Sequence, residues 1–324
     1  MLTSDFDYQL PPELIASVPL AERSASRMLV INRDASSIEH HAFAELKTFL
    51  REGDLLVLND TRVVPARFFS NDGMKELLRL KALSPTLWRC MVKPGKKLRE
   101  GHQIKIGHAT GTVTEIFENG DRLIEFDHAV DAARHGQLAL PPYMEREERE
   151  PDKERYQTVY ARVEGSIAAP TAGLHFTQEL LREIPHVFVT LHVGVGTFQP
   201  VKAERLDEHV MHSENYEVSE AAAKKINSAR RVIAVGTTVT RVLESVAARH
   251  GSIVSERGET DIFIYPPYEF RVVNALLTNF HLPKSTLMML VSAFAGKDLI
   301  FRAYADAIRE RYRFYSYGDC MFIS

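Results

Sequence analysis

The sequence predicts a large α/β (α+β) domain interrupted by a small β-barrel insertion domain. Three observations predict it. An apolar strand, DLLVLN at 54–59, stands early in the chain and ends in the polar turn Asn59-Asp60-Thr61-Arg62. From residue 66 to 126, short β segments are punctuated by turn formers such as Asn71-Asp72-Gly73, Lys93-Pro94-Gly95 and Asn119-Gly120. After the charged run EREEREPDKER at 145–155, strands alternate with helices. The economical reading joins residues 1–64 and 153–324 into one discontinuous large domain. Residues 65–152, linker included, form the insertion.

The elements follow in order. Segments 112–116 (TVTEI) and 122–126 (RLIEF), joined through Asn119-Gly120, read as a hairpin. Residues 129–136 read as a short helix, and 145–155 as a solvated connector. A short helix over 177–184 has Thr177 as its N-cap. HVFVTLHVGV at 186–195 alternates, with Val187, Val189, Leu191, Val193 and Val195 on one face and Phe188, Thr190, His192 and Gly194 on the other. Ser219 caps a helix to residue 229. A strand at 231–235 leads through the turn Gly236-Thr237-Thr238 into a helix over 240–249 closed by Gly251. DIFIY at 261–265 reads as a strand. Helices at 285–294 and 298–312 are separated by Gly296, and 314–323 closes the chain as a strand.

A chain of 324 residues has room for two domains. Its 45% hydrophobic and 26% charged residues are ordinary for a globular protein and argue against disorder. No apolar run approaches the roughly 20 residues a membrane helix needs. The first eight residues carry acids and no bases, unlike a signal peptide. Cys90 and Cys320 offer no disulfide framework and no Cys-based zinc site, so the expectation is a soluble protein of the reducing cytoplasm. A net charge of −3 counts against a broad nucleic-acid coat, although an enzyme needs only one basic face.

Polar clusters stand at the ends of apolar segments, where enzymes place reactive groups. In Asn59-Asp60-Thr61-Arg62, a carboxylate beside a guanidinium can position a ribose hydroxyl or a phosphate; the plain alternative is a hydrogen-bonded turn. In AAPTAGLHFT at 168–177, Gly173 permits close backbone approach, and His175 titrates near neutrality. HVGVGTF at 192–198 has Gly194 and Gly196, but Thr197-Phe198-Gln199-Pro200 supplies neither the third glycine nor the helix of a dinucleotide fingerprint. A loop shaped around an aromatic or sugar ring fits better. His209, His212 and Glu214 have metal-like spacing on a helical turn, without the zinc-protease pattern, and a polar network or substrate contact is the preferred reading. Gly236-Thr237-Thr238 could receive an anion at a helix start. Asn279, His281, Lys284 and Ser285 precede another helix, with Pro283 supporting its start. Basic residues cluster at Lys93, Lys96, Lys97 and Arg99. A second set, Arg302, Arg309, Arg311 and Arg313, is interleaved with Tyr304, Tyr312, Phe314, Tyr315 and Tyr317, a mixture suited to RNA backbone contact and base stacking.

Together these segments resemble one family, the S-adenosylmethionine:tRNA ribosyltransferase-isomerases of queuosine biosynthesis. The matching stretches run from end to end. They include FDYQL at 6–10, Ser26-Arg27, NDTRVVPAR at 59–67, KPGKK at 93–97, LPPY at 140–143 and YQTVYA at 156–161. They continue with GSIAAPTAGLHFT at 165–177, TLHVGVGTFQPV at 190–201, the 209–214 cluster, AVGTT at 234–238, TNFHLPKST at 278–286, LVSAFAG at 290–296 and YRFYSYGD at 312–319. Two departures stand out: FFSNDGMKELLRL at 68–80 is shorter and different, and Pro267 occupies a turn position where the family pattern has Gly.

The resemblance implies a large catalytic domain that transfers the ribosyl group of S-adenosylmethionine to 7-aminomethyl-7-deazaguanine at a tRNA wobble position. The product is epoxyqueuosine-tRNA, with adenine and methionine released. S-adenosylmethionine is then a consumed substrate; no cofactor, no metal and no membrane partner is implied, and a monomer is expected. The positive sulfur acidifies the adjacent ribose carbon, so a base must reach it; adenine leaves more easily with a protonated ring nitrogen; the attacking amine must shed a proton. The candidates for proton transfer are His175, His192, His212 and Glu214, with Asp60 also in the catalytic set. Asn59, Asp60, Thr61 and Arg62 would hold ribose or the methionyl group. Thr171, Gly173, Gly194, Gly196, Thr197, Phe198, Thr237, Thr238, Asn279 and His281 would shape the substrate pocket. Lys93, Lys96, Lys97, Arg99 and Arg313 would meet the RNA. The competing readings are a metal-dependent hydrolase built on the His clusters, a non-enzymatic RNA-binding module, and a Rossmann-type methyltransferase.

Overall fold

A computed structural model describes all residues except 195, 197–200 and 202. It is a mixed α/β structure that divides into two compact units. The first comprises residues 1–62, 142–146 and 154–324, and the second residues 63–141 and 147–153.

The first unit is built on a nine-stranded sheet. Its centre is four parallel strands in the order His186–Leu191, Asp54–Asn59, Arg231–Val235 and Ala275–Asn279. A strand antiparallel to the centre adjoins it on each side, and on the far side Arg27–Asn32 pairs parallel with Cys320–Ile323. Glu214–Val218 and Glu256–Thr260 extend one side, while Cys320–Ile323, Arg27–Asn32 and Ser37–Ala42 extend the other. Alternate residues of the central strands enter two different cores: Leu55 and Val57 join one, Leu56 and Leu58 the other. Burial on both faces explains why 54–59 is continuously apolar rather than alternating. Strand 186–191 is asymmetric. Val189, Leu191 and the following Val193 lie in the larger core, as the alternation predicts, and Thr190 and His192 face a polar cluster instead.

Helix Glu220–Ser228 is capped by the Ser219 hydroxyl, and Gln178–Arg182 by Thr177. Helix Thr237–His250 begins directly at the residues read as a turn, because Gly236 at φ +94° breaks the chain direction one residue earlier. Thr286–Ala295 and Lys297–Arg309 meet at Gly296. Three expectations are corrected. The strand near DIFIY falls on Glu256–Thr260, before it, where pairing with Glu214–Val218 is available. The closing strand is only Cys320–Ile323, since residues 312–319 turn back through the Asp319 hydrogen bonds to the Arg27 and Arg313 amides. The 145–155 connector contains the short helix Asp152–Arg155, with Asp152 buried.

The second unit is a seven-stranded antiparallel sheet, running from Gly136–Gln137 through Arg67–Phe69, Glu76–Ala82, Leu87–Lys93, Arg122–Phe126 and Ala109–Ile116 to Gln103–Ile106. The hairpin read at Asn119-Gly120 pairs Arg122 with Ile116. Trp88, stacked between Phe68 and Phe126, centres its core. No helix of the described residues is long and apolar enough to cross a membrane.

Candidate functional site

The four central strands are parallel, so their carboxyl ends share one edge of the sheet. Asn59-Asp60, Leu191-His192, Val235-Gly236 and Asn279 to His281 all lie there. Ligands in open α/β sheets bind in the crevice outside that edge. The polar clusters separated in sequence are thus assembled by strand direction alone.

One pocket at this edge is lined by Thr171, Thr237, Thr238, Asn279, His281 and Tyr143, among others, with a volume of about 670 Å3 including its open mouth. The N-terminus of helix Thr237–His250 opens into it with no side-chain cap, and the buried Thr238 hydroxyl has no partner among the described residues. Gly236 is called for by its φ of +94°, since a Cβ there would meet Ala172 Cβ only at an ordinary 3.6 Å. His281 is buried, its Nε2 3.0 Å from Thr278 Oγ1, and burial lowers its pKa to about 3. It is a neutral imidazole at physiological pH, able to orient a ligand and unable to deliver a proton as imidazolium.

A second cluster surrounds His192. Its Nδ1 lies 2.8 Å from Thr61 Oγ1, and burial lowers its pKa against the opposing pull of Asp60 and Glu217. Asp60 is buried and fully engaged. It accepts from Thr190 Oγ1 at 2.6 Å and from Arg162 Nη2 and Nε at 2.6 and 3.1 Å. Asn59 clamps two strands, accepting from the Leu191 and Thr61 amides and donating to Leu191 O. These two residues shape the site rather than present free groups to it. Arg62 is exposed, 3.9 Å from Glu164.

A third cluster holds the glycine loop. Glu214 Oε1 accepts from the Gly194 amide at 2.9 Å, and Oε2 lies 2.5 Å from Arg241 Nη2, both side chains 5% exposed. The Arg241 contact is close but off the hydrogen-bond axis, so Oε2 and Arg241 Nε lack a well-aligned bond. A Cβ on Gly196 would strike His212 Cδ2 at 2.6 Å, which places that ring against the loop. Residues 209–213 are irregular chain rather than the helical turn expected, and Glu214 begins a strand. Among the described residues no group of three or more His, Cys, Asp or Glu is placed to hold a metal ion. Thr197 and Phe198 lie outside the described residues.

His175 ends the short 3-10 turn Thr171–His175. It is buried, with Nδ1 2.8 Å from Ser26 Oγ, and burial lowers its pKa to about 4, partly offset by Asn279. Gly173 is required by crowding, since a Cβ would lie 2.0 Å from the Tyr160 hydroxyl.

Lys93, Lys96, Lys97 and Arg99 are exposed in the second unit. Their loop is propped by Arg122, whose Nε donates to Leu98 O at 2.8 Å and Nη2 to Gly95 O at 3.1 Å. The second basic set differs from expectation. Tyr304, Tyr312, Phe314, Tyr315 and Tyr317 are all buried, and Arg313 is half-buried, donating to Val18 O. Tyr304, Tyr312, Phe314 and Tyr315 pack in the larger core, and Tyr315 and Tyr317 reach only the walls of pockets, so the set is not an exposed stacking surface. The sequence reading passed over Arg162, Arg241 and Thr190, whose roles depend on distant partners. Tyr143 and Ser316, hydrogen-bonded to one another beside the pocket, lie inside segments already matched to the family, LPPY and YRFYSYGD.

The comparisons with known proteins decide the family. The model of the queuosine biosynthesis protein family matches residues 3–323. The chain belongs to the queuosine biosynthesis protein family. A relative in Symbiobacterium thermophilum is 52% identical over 342 residues, and one in Halothermothrix orenii 48% over 342 residues, each alignment covering 100% of both chains. Both are named S-adenosylmethionine:tRNA ribosyltransferase-isomerase. The crystal structure of the S-adenosylmethionine tRNA ribosyltransferase of Thermotoga maritima is 38% identical with a TM-score of 0.58, covering 99% of this chain and 100% of that one. The chain thus resembles these relatives in sequence along its full length and that solved structure in its mixed α/β architecture.

Proposed function

We infer that this chain transfers the ribosyl group of S-adenosylmethionine to 7-aminomethyl-7-deazaguanine at a tRNA wobble position and isomerises it, giving epoxyqueuosine-tRNA, adenine and methionine. The observation that carries this is the end-to-end family match with relatives near 50% identity that bear the activity's name. Nothing in those names supports a metal-dependent hydrolase or a non-enzymatic RNA module. S-adenosylmethionine is consumed as a substrate, and no metal or resident cofactor is assigned a part.

S-adenosylmethionine lies along the carboxyl edge, from the pocket between the Thr237 helix start and His281 toward the neighbouring cleft lined by His192 and Thr190; the uncapped helix start and the unpaired Thr238 hydroxyl support this. His192 is the general base. A lowered pKa leaves it neutral near pH 7, and Thr61 fixes Nδ1, so that Nε2, without a hydrogen bond among the described residues, can take the proton from the ribose carbon beside the sulfonium. His175 and His281, neutral and buried, hold neighbours in place. Glu214 acts through the Gly194 loop as a positioning residue.

The catalytic unit is discontinuous, 1–64 with 153–324, and residues 65–152 form a small β-barrel insertion. The barrel reading is supported by Asn71, which ties the turn before Glu76–Ala82 to the far edge strand. Its amide donates to Lys105 O at 2.9 Å, and its side chain bonds Gly107 in both directions. The exposed Lys93–Arg99 loop meets tRNA phosphates. The enzyme works as a monomer in the cytoplasm.

The test is chromatography of products after incubation with S-adenosylmethionine and tRNA carrying the aminomethyl base. Free adenine and methionine, in step with a mass gain on the wobble base, are expected; absence of adenine with correctly folded substrate overturns the reading. His192→Ala should slow single-turnover ribosyl transfer by roughly 100-fold or more. Near-normal rates in both His192→Ala and His175→Ala would remove these residues from the mechanism.

A further inference from the structure

Arg23 and Arg155 line a small pocket with Ser26, His175, Ser316 and Tyr317. Each guanidinium reaches across to the other's chain. Arg23 Nη2 donates to Glu154 O at 3.1 Å and its Nη1 to Leu174 O at 3.2 Å, while Arg155 Nη1 donates to Ala21 O at 2.8 Å. This clasp holds two like charges together. Every acceptor is a backbone carbonyl, and among the described residues neither guanidinium forms an ion pair with a carboxylate. Glu22 at the rim and Glu154 alongside are exposed to solvent. Arg155 Nε, buried, has no hydrogen-bond partner among the described residues. A third guanidinium, Arg313, is anchored on Val18 O, next to Pro19 of the pocket wall. Burial lowers the Arg23 pKa, and the neighbouring Arg155 lowers it further, against a smaller opposing pull from Glu154. Clustered cations partly withdrawn from water cost free energy unless an anion joins them.

We propose that Arg23 and Arg155 form an oxyanion pocket that takes a phosphodiester of the tRNA. This rests on the functional reading above, which supplies the RNA. Forked, planar donors match the paired oxygens of a phosphate, and an RNA backbone presents such groups at regular intervals. The same donors match a carboxylate, which the methionyl group of S-adenosylmethionine also carries, so the experiment separates the two sources.

The measurement is the equilibrium Kd for unmodified-wobble tRNA between about 50 and about 200 mM salt, for the unaltered protein and Arg155→Gln. The expected result is several-fold weaker binding and a log–log salt slope smaller by about 1, the loss of one phosphate contact. Arg155→Lys keeps the charge and should keep most of the slope. The Kd for S-adenosylmethionine, measured by calorimetry on the same proteins, should not move. Arg23→Gln provides the second variant should Arg155→Gln fail to fold, with an unchanged thermal melt as the control. An unchanged slope in a folded variant overturns the pocket. Weakened S-adenosylmethionine binding with unaltered tRNA binding overturns the phosphodiester and makes the carboxylate the occupant. If the unaltered protein binds no tRNA, the functional reading itself falls, an outcome distinct from failure of the variant alone.

Discussion

Removal of the Glu214 carboxylate should be among the most damaging single changes in the large unit. Glu214 and Arg241 are each 5% exposed and stand 2.5 Å apart, and Glu214 also accepts the Gly194 amide at 2.9 Å. Glu214→Ala leaves a guanidinium buried without its anion, a defect that costs about 3–5 kcal/mol. The orphaned Gly194 N–H adds about 1–3 kcal/mol if water does not reach it. The two terms share one cavity and will not add fully, so the expected loss is about 4–6 kcal/mol, much of a typical domain's stability. Glu214→Gln keeps an acceptor for Gly194 but supplies no charge for Arg241, and should fall between the two. Replacing both partners with apolar residues, Glu214→Leu with Arg241→Met, should recover the share that comes from the unpaired charge and leave only that of the orphaned Gly194 N–H. Urea unfolding of the unaltered protein, Glu214→Leu, Arg241→Met and the double variant closes a cycle and gives the coupling energy directly. A Glu214→Ala protein with an unchanged m-value and a loss under about 1 kcal/mol would refute the buried-pair argument.

Three further outcomes follow from the same geometry. If His192 is the base, the single-turnover rate should fall with acid through a pKa below the ordinary histidine value of about 6.5, because the proton acceptor is the neutral ring; a limb lying above that value contradicts the burial found here. His175 and His281, with folded pKa values lowered to about 4 and about 3, should make the protein acid-sensitive. Between pH 6.5 and 4 the unfolded chain takes up two protons that the folded one refuses. Stability is therefore intact above pH 6.5 and lost on descent, with a slope approaching about 2.7 kcal/mol per pH unit from these two groups. Urea melts at stepped pH would show it, and a flat profile would contradict it. Gly173→Ala drives a methyl to 2.0 Å from the Tyr160 hydroxyl and 2.8 Å from Thr158 Cγ2, and should cost about 1–3 kcal/mol; an unaltered urea midpoint would show that Tyr160 can move aside.

What the sequence made legible was local. DLLVLN and RVIAV announce strands buried on both faces, and Ser219 and Thr177 mark helix starts by their hydroxyls. The edge strand Glu256–Thr260, sequence ERGET, carries no apolar pattern; pairing with Glu214–Val218 specifies it, so the more hydrophobic DIFIY beside it drew the prediction. Likewise Cys320–Ile323 pairs with Arg27–Asn32 from the other end of the chain, a match no local window contains. The aromatic set at 304–317 misled in a different way. Tyr304 shares the buried face of its helix with Ile300, Ala303 and Ala307, a period visible in the sequence but outweighed by the arginines between. At the site, the residue types were legible and the partnerships were not. Asp60 looked free until Arg162 and Thr190 were found on it, and Glu214 until Arg241 was. Ion pairs between residues 27 and 102 positions apart leave no signature in one chain.

The central claim is ribosyl transfer, and position-specific labelling tests it most directly. The protein would be given tRNA carrying the aminomethyl base with S-adenosylmethionine labelled in the ribose carbons, and in parallel with S-adenosylmethionine labelled in the S-methyl group. Ribose label in the tRNA, with methyl label recovered only in free methionine, is the predicted result. Methyl label in the tRNA, with the ribose label left in S-adenosylhomocysteine, would contradict the account and make the chain a methyltransferase.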